Sequence, residues 1–539
     1  MERAEIESGP EPGMDLAGAR PPDWVSDAVF YQIFPDRFAR SDRLPAPGPF
    51  EPWDSPPTVH GFKGGDLYGV AEHLGYLSDL GVSAIYLNPI FSSASNHRYH
   101  TFDYFHVDPL LGGDEAFDEL IAAAHARGMR VILDGVFNHS GRGFWPFHHV
   151  LEAGASSPYR DWFYLDEQAI ASRRGLRAYP SFRDLRALGV AREAAERPGE
   201  ASRHVLGYEA WWDLPALPKL NVGHPPMREH LLEAAEHWIG RGADGWRLDV
   251  PEEIDDVEFW REFRRRVRAA NPEAYIVAEI WHLAPDRVAG DQFDATMDYP
   301  LAEAILGFTA GVHLDPAVIA THGTYREAVR PLDGPAFAQR LAEVLTAWGR
   351  AVAAAELNLV GSHDLPRFVT MCGGDRASLR LATLIQMTLP GAPCIYYGDE
   401  IGLEGDMDPG SRGAFPWDPE RWDTALRDWV RSSIALRRAH PVLRHGDLRL
   451  LGAAGGSVAY ASVADDEWLI TAINAGEDAE RLTIAAPELA GARLETVPLA
   501  AGDGVRPVVV ADDGTLDLDV AARSGAVFQG QTSARMETR

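Results

Sequence analysis

Between residues 27 and 440 the chain repeats one unit: a short apolar run, then apolar positions spaced three and four apart. Runs apolar throughout fit strands buried on both faces, and the wider spacing fits helices with one buried stripe. The runs Ala28–Phe34, Ala84–Asn88, Arg130–Asp134, Gly245–Asp249, Tyr275–Glu279, Phe293–Met297, Asn358–Gly361 and Cys394–Tyr397 predict eight strands. Val70, Leu74, Leu77 and Leu80 mark the first helical stripe. Phe117, Leu120, Ile121 and Ala124 mark the next, with Asp114 as its cap and Gly128 as its stop. Leu231, Leu232, Ala235, Trp238 and Ile239 form another, and Trp260, Phe263 and Val267 lead to the Asn271-Pro272 break. Phe337, Leu341, Val344, Leu345 and Trp348 precede the seventh strand, and a helix around Leu426–Leu436 closes the series.

Strands that nearly all lead into helices predict an α/β fold, a (β/α)8 barrel with parallel strands. The alternative is an open doubly wound sheet. No glycine-rich turn follows the first strand, and polar candidates sit at the ends of many strands, so the barrel is favoured. Residues 27–138 and 216–440 carry the barrel pattern. Residues 139–215 are too long for a loop and predict a small subdomain after the third strand. After His440-Pro441 the texture becomes alternating and turn-rich, with Val458–Val463 and Trp468–Asn474 as paired strands. Residues 441–529 therefore predict a C-terminal antiparallel β-sandwich. Residues 1–26 are expected to be a flexible leader and 530–539 a frayed tail.

Composition narrows the partners. Asp+Glu 80 against Lys+Arg 50 gives −30, which disfavours nucleic acid and anionic membrane surfaces. Cys372 and Cys394 are too few and too scattered for a disulfide scaffold or a cysteine metal site. The N-terminus has no apolar signal core, so a cytoplasmic location is expected.

The chemistry lies at the strand ends. In GWRLDV, Arg247 and Asp249 are two residues apart and point the same way on a strand. A neighbouring guanidinium is expected to lower the Asp249 pKa and keep it ionised, as a nucleophile requires. Glu279, in VAEIWH, is expected among apolar and aromatic neighbours that raise its pKa, which suits an acid/base. Asp364, in GSHD, supplies a third carboxylate, and His139 and His363 are donors for sugar hydroxyls. Two carboxylates with opposed environments, at ends of different strands, match the requirement of a retaining glycosidase. Phe144, Trp145, Trp211, Trp212, Trp281, Phe415 and Trp417 have rings suited to stacking on glucose, and Trp281 and Tyr99 are the two chosen.

DGVFNH (134–139), GWRLDV (245–250), VAEIWH (277–282) and VGSHD (360–364) resemble, in order, four strand-end regions of the α-amylase superfamily, glycoside hydrolase family 13. YQIFPDRF, GGDLYGV and YLNPIF add matches around the first two strands, and the resemblance spans roughly residues 27–442. It implies Asp249 as nucleophile, Glu279 as acid/base and Asp364 as transition-state stabiliser. It implies that Asp134, His139, Arg247 and His363 line the central sugar subsite, with Tyr99 stacking on the reacting ring. Asp408 and Arg412, in DPGSR, resemble the family's donor-side pair. LPKLN (217–221) resembles neopullulanase, cyclomaltodextrinase and maltogenic amylase, and Val250 is associated in the family with tolerance of α-1,6 bonds. The implied function is retaining hydrolysis of α-1,4, and also α-1,6, bonds in maltooligosaccharides. An α-glucosidase or transglucosylase, or a non-catalytic carbohydrate-binding barrel, is the alternative. Three departures stand out: about 26 residues precede the barrel pattern, so the N-terminal β-domain of those enzymes is not expected, His100 replaces Asp, and Glu252 replaces Asn. No cofactor is expected. Calcium is disfavoured, because Glu253 stands where a family calcium ligand would be and ARSDRLPAPG offers few oxygen ligands.

Overall fold

The computed structural model describes residues 20–172, 175–195, 197, 199–500 and 507–531. The eight strands are β1 (Phe30–Ile33), β2 (Ala84–Leu87), β3 (Arg130–Gly135), β4 (Gly245–Leu248), β5 (Tyr275–Ala278), β6 (Ala295–Thr296), β7 (Leu357–Leu359) and β8 (Ala392–Tyr396). All ladders among them are parallel, in the order β6-β5-β4-β3-β2-β1-β8-β7. A parallel bridge between Met297 and Leu357 joins the two ends, with the Asp298 N–H donating to Leu357 O at 3.0 Å. Every residue of β1, β2, β4 and β5 is buried, one face inside the barrel and one under the helices.

The ladders stop just before the residues chosen for chemistry. Asp249 and Glu279 lie one residue beyond β4 and β5, still donating backbone N–H groups to Gly135 O and Leu248 O at 3.1 and 3.0 Å. They stand on the carboxyl rim of the barrel, where side chains of separate strands can converge. Other boundaries shift for local reasons. The first predicted helix is two, Leu67–Glu72 and Leu74–Leu80, meeting at His73. Asp114 does not cap the helix Gly113–His125. Gly112, at φ 100°, precedes that helix, while the Asp114 carboxylate accepts from the Val107 N–H and pairs with Arg241, each at 2.8 Å.

The insertion carries four α-helices among its described residues: Trp145–Ala153, Glu167–Ala171, Phe182–Ala194 and Glu200–Leu206. Bridges His139↔Lys219, Phe163↔Leu220 and Ala210↔Pro218 sew it to the LPKLN stretch, so its structure runs past the boundary expected at residue 215. Beyond the barrel lie β9 (Asp447–Ala454), β10 (Ser457–Ala464), β11 (Glu467–Asn474), β12 (Glu480–Ala485), β13 (Arg493–Val497), β14 (Val508–Val509), β15 (Thr515–Val520) and β16 (Ser524–Gln531). They form antiparallel sheets, β14-β13-β16-β11-β10-β9 and β12-β15. Leu482, Ile484, Leu516 and Leu518 pack against Ile470, Leu494 and Phe528 between them. Tyr460 and Thr388 bond at 2.7 Å, tying this domain to the barrel.

The termini depart from expectation in part. Asp23–Asp27 is a helix with Val25 fully buried, and the Trp24 ring packs on Phe30 and Tyr275. Apolar burial thus begins inside the expected leader, whose residues 1–19 lie outside the described residues. Gly530 and Gln531 complete β16, and residues 532–539 of the expected tail lie outside the described residues.

Arg437, fully buried on helix Thr424–Ala439, is the clasp at the amino end of the barrel. Its guanidinium donates to Met387 O (3.2 Å), Leu389 O (2.8 Å), Ser26 O (3.3 Å) and Gly391 O. Burial pushes its pKa down to about 9. Arg437→Met leaves these carbonyls without their donor and is expected to destabilise the fold by about 3 kcal/mol. A lower urea midpoint with unchanged far-UV circular dichroism checks this, and an unchanged midpoint contradicts it.

Candidate active site

The register of the barrel sets the first contact. Asp134 on β3 pairs with Arg247 on β4, and both side chains point inward. Arg247 Nη1 donates to Asp134 Oδ1 at 2.9 Å and to Asp249 Oδ1 at 3.1 Å. Its Nη2 lies 3.0 Å from Glu279 Oε2 and 4.0 Å from Asp364 Oδ2. One fully buried guanidinium therefore gathers carboxylates from the ends of β3, β4, β5 and β7. Asp364 is the most open of them, its side chain 28% exposed.

A neutral network braces the other side. The Tyr86 and Tyr99 hydroxyls donate to Asp134 Oδ2 at 2.7 and 2.8 Å. Gln32 Nε2 donates to Asn88 Oδ1 (3.1 Å) and to His363 Nδ1 (2.9 Å), and Asn88 Nδ2 donates to the Tyr99 hydroxyl (3.0 Å). Burial, with Arg412 and Arg247 nearby, holds His363 well below the usual imidazole pKa. His363 is thus neutral, with the proton on Nε2, 2.6 Å from the Tyr99 hydroxyl and 3.2 Å from Asp364 Oδ2. The Tyr99 and His363 rings lie parallel at 5.3 Å.

Glu279 is held by two further donors. The Val250 N–H reaches Oε2 at 3.0 Å, and the Trp281 indole N–H reaches Oε1 at 3.1 Å. Val250 adopts φ 37°, ψ 53°, a left-handed conformation that a β-branched residue seldom takes, immediately before Pro251. That strain points its amide at the acid. Trp281, expected to stack on sugar, has its ring stacked on Tyr299 at 3.6 Å and on His322 at 4.9 Å. Its indole N–H also fixes Glu279. Arg412 joins the cluster from the loop after β8. Its Nε donates to His363 O at 2.9 Å, and its Nη groups lie 3.5 Å from Asp364 and 3.2 Å from Asp408. His139 is buried, its pKa pushed down to about 3, and Nε2 has no hydrogen-bond partner.

The charge balance differs from the sequence expectation at Asp249. Its pKa is raised well above the usual carboxylate value, because burial and the Glu279 charge outweigh Arg247. Asp364 is raised to about 7 by burial and then by Glu279. Asp134 is also raised, chiefly by burial. Burial is the leading cause in each case, and of the three Asp364 is the one held near neutrality.

The sequence pattern singled out neither Gln32 nor Asn88 as site residues. Their signal is a polar side chain within the apolar runs YQIF and YLNPIF. Of the other candidate rings, Phe144 and Phe415 are fully buried core, and Trp417 lies against His73, the rings 3.8 Å apart and tilted by 35°. The described residues include no cluster of three or more His, Cys, Asp and Glu side chains arranged to hold a metal. Asn138 Oδ1 is buried without a partner, but Glu253 lies beside the Lys219 ammonium at 4.0 Å. A cation there opposes calcium, which needs six to eight oxygens.

Residues 32–432 match the family described as alpha amylase, catalytic domain. The chain is similar to a cyclomaltodextrinase from Geobacillus thermopakistaniensis (strain MAS1), 42% identical over 465 residues, which are 86% of this chain and 71% of that one. It is 37% identical over 475 residues to neopullulanase 2 from Thermoactinomyces vulgaris, covering 87% of this chain and 73% of that one. The solved native form of a Nostoc punctiforme debranching enzyme matches with TM-score 0.79 and 42% identity, covering 94% of this chain and 99% of that one.

The raised Asp364 pKa makes a stability prediction. The folded carboxyl keeps its proton to about pH 7, whereas an unfolded one ionises near 3.8, so the folded state loses stability as pH rises through that window. Asp364→Asn removes this charge. Its melting temperature is expected to exceed wild type by several degrees at about pH 8 and by less at about pH 5. Equal increments, or a loss at the higher pH, contradict the assignment.

Proposed function

The chain belongs to the α-amylase family of glycoside hydrolases, and from this we propose that it hydrolyses α-1,4 and α-1,6 glucosidic bonds in maltooligosaccharides and related α-glucans with retention of configuration. The observation that carries the reading is the convergence of Asp249, Glu279 and Asp364 within 4.0 Å of the Arg247 guanidinium. In this reading a proton retained by the cluster is delivered by Glu279 to the glycosidic oxygen. Asp249 Oδ2 is buried with no hydrogen-bond partner, so a lone pair is free to attack the anomeric carbon. A covalent glucosyl-enzyme forms, Glu279 then takes a proton from water, and the water displaces Asp249.

Asp364 and Arg412 fix the hydroxyls of the reacting ring as charge builds on its oxygen. The free His139 Nε2 supplies a neutral polar group to that ring, His363 Nε2 donates to the Tyr99 hydroxyl beside it, and Tyr99 lies against its face. Asp408, paired with Arg412, takes the donor-side sugar. Each step is carried by side chains, so the proposal calls for no cofactor. Similar proteins named cyclomaltodextrinase, neopullulanase and debranching enzyme support both bond types and support a cyclic as well as a linear substrate. Among the described residues no helix is long and apolar enough to cross a membrane. A cytoplasmic site of action, on an oligosaccharide substrate with no nucleic-acid or membrane partner, is part of the proposal.

The test is timed chromatography of products from maltotriose, γ-cyclodextrin and pullulan, with proton NMR of the first anomer released. The α-anomer is expected first, and a β-anomer overturns the retaining assignment. Asp249→Asn should cut turnover by about four orders of magnitude with the fold retained, its melting temperature no lower than wild type. Substantial residual turnover contradicts its role.

A further inference from the structure

The insertion exposes four aromatic rings that the mechanism does not use, Trp145, Tyr179, Phe182 and Trp212, and of these Trp212 is the one stacked in a run that leads to His139. Trp212 is 65% exposed, although its indole is one of the largest apolar groups on the described surface. It is the outermost of a run of stacked rings. His139 lies on Trp211 at 4.7 Å with 5° between planes, and Trp211 lies on Trp212 at 4.8 Å with 18° between planes. The inner ring is the one that the proposed function places beside the reacting sugar, and His139 Nε2 and Trp211 Nε1 are both buried without partners. The stack therefore runs from the buried His139 to solvent, with two unanswered polar atoms along it.

The loop is built to keep the ring outward. Trp212 and Asp213 both hold left-handed backbone, at φ 50° and φ 53°. Arg192, on helix Phe182–Ala194, donates to Trp212 O at 2.7 Å and to Asp213 O at 2.9 Å, and the Asp213 carboxylate accepts from the Ser202 N–H at 2.7 Å. A bulky residue held in that conformation is strained. Here the surrounding bonds maintain it while the indole stays in water.

We infer that Trp212 is an outer subsite of the cleft, a platform on which a glucose ring of an α-glucan chain stacks beyond the sugars held at the reaction centre. The inference rests on the α-glucan reading of the site. The chemistry fits a sugar: glucose presents an apolar C–H face to an indole face and hydroxyls to the pocket's free polar atoms. A second copy of the chain fits less well, since each copy carries a formal charge of −30 and repels its like. A glucan is neutral.

The test compares wild type, Trp212→Ala and Trp212→Phe. Specificity is read as kcat/KM on maltoheptaose divided by kcat/KM on p-nitrophenyl α-glucoside, which reaches no outer subsite. Trp212→Ala should lower this ratio by about tenfold, through KM, and Trp212→Phe should restore most of it. An unchanged ratio, or equal losses on both substrates, overturns the inference. Calorimetric titration of all three proteins with maltoheptaose gives a readout independent of turnover, and the alanine variant should bind about tenfold more weakly. If wild type cleaves neither substrate, the proposed function fails while the titration still decides the subsite. A sedimentation coefficient that falls in Trp212→Ala, with unaltered glucan binding, makes Trp212 a self-association surface and overturns the inference.

Discussion

The guanidinium of Arg247 is the constraint on which the site depends. It is buried without access to water and faces Asp134, Asp249, Glu279 and Asp364, all within 4.0 Å. Without it, carboxylates from separate strand ends would repel one another inside a low-dielectric pocket. With it, they can be held together, but one cation cannot neutralise them all. Burial, joined at Asp249 and Asp364 by the Glu279 charge, raises the pKa values of Asp249, Asp364 and Asp134.

The rest of the pocket fixes which oxygen faces which partner. Glu279 is oriented by a strained backbone amide at Val250 and by the Trp281 indole, itself stacked on Tyr299. His363 is kept neutral by burial, with Arg412 and Arg247 nearby, and is held in one tautomer by Gln32. Orienting groups of this kind leave little to reorganise when charge develops on a sugar ring. The barrel supplies the rigidity, since Asp134 and Arg247 are adjacent in register and cannot separate without breaking the β3–β4 ladder.

Much of this was legible in sequence, for physical reasons that particular residues make clear. Strand periodicity alone puts Arg247 and Asp249 on one face, and eight apolar runs alternating with helical stripes imply a closed parallel barrel. The direction of the Asp249 pKa was not legible. It depends on burial and on Glu279, thirty positions later in the chain, and neither acts until the strands meet. The place of Trp281 depends on Tyr299 and His322, which come from segments beyond β6. Asp114 has the composition of a helix cap, yet a long-range partner, Arg241, and the Val107 amide claim its carboxylate. Local chemistry is readable from local sequence; side-chain allegiance across 100 residues is not.

The most direct measurement is covalent trapping. Incubation with a fluorinated α-glucosyl fluoride slows the second step and lets the glucosyl-enzyme accumulate, and proteolysis with mass spectrometry then locates the adduct. The account predicts one added glucosyl group per chain on the peptide that contains Asp249. An adduct on Glu279 or Asp364, or turnover of the reagent with no adduct, would contradict the claim that Arg247 organises these acids around one anomeric carbon with Asp249 as the attacking group.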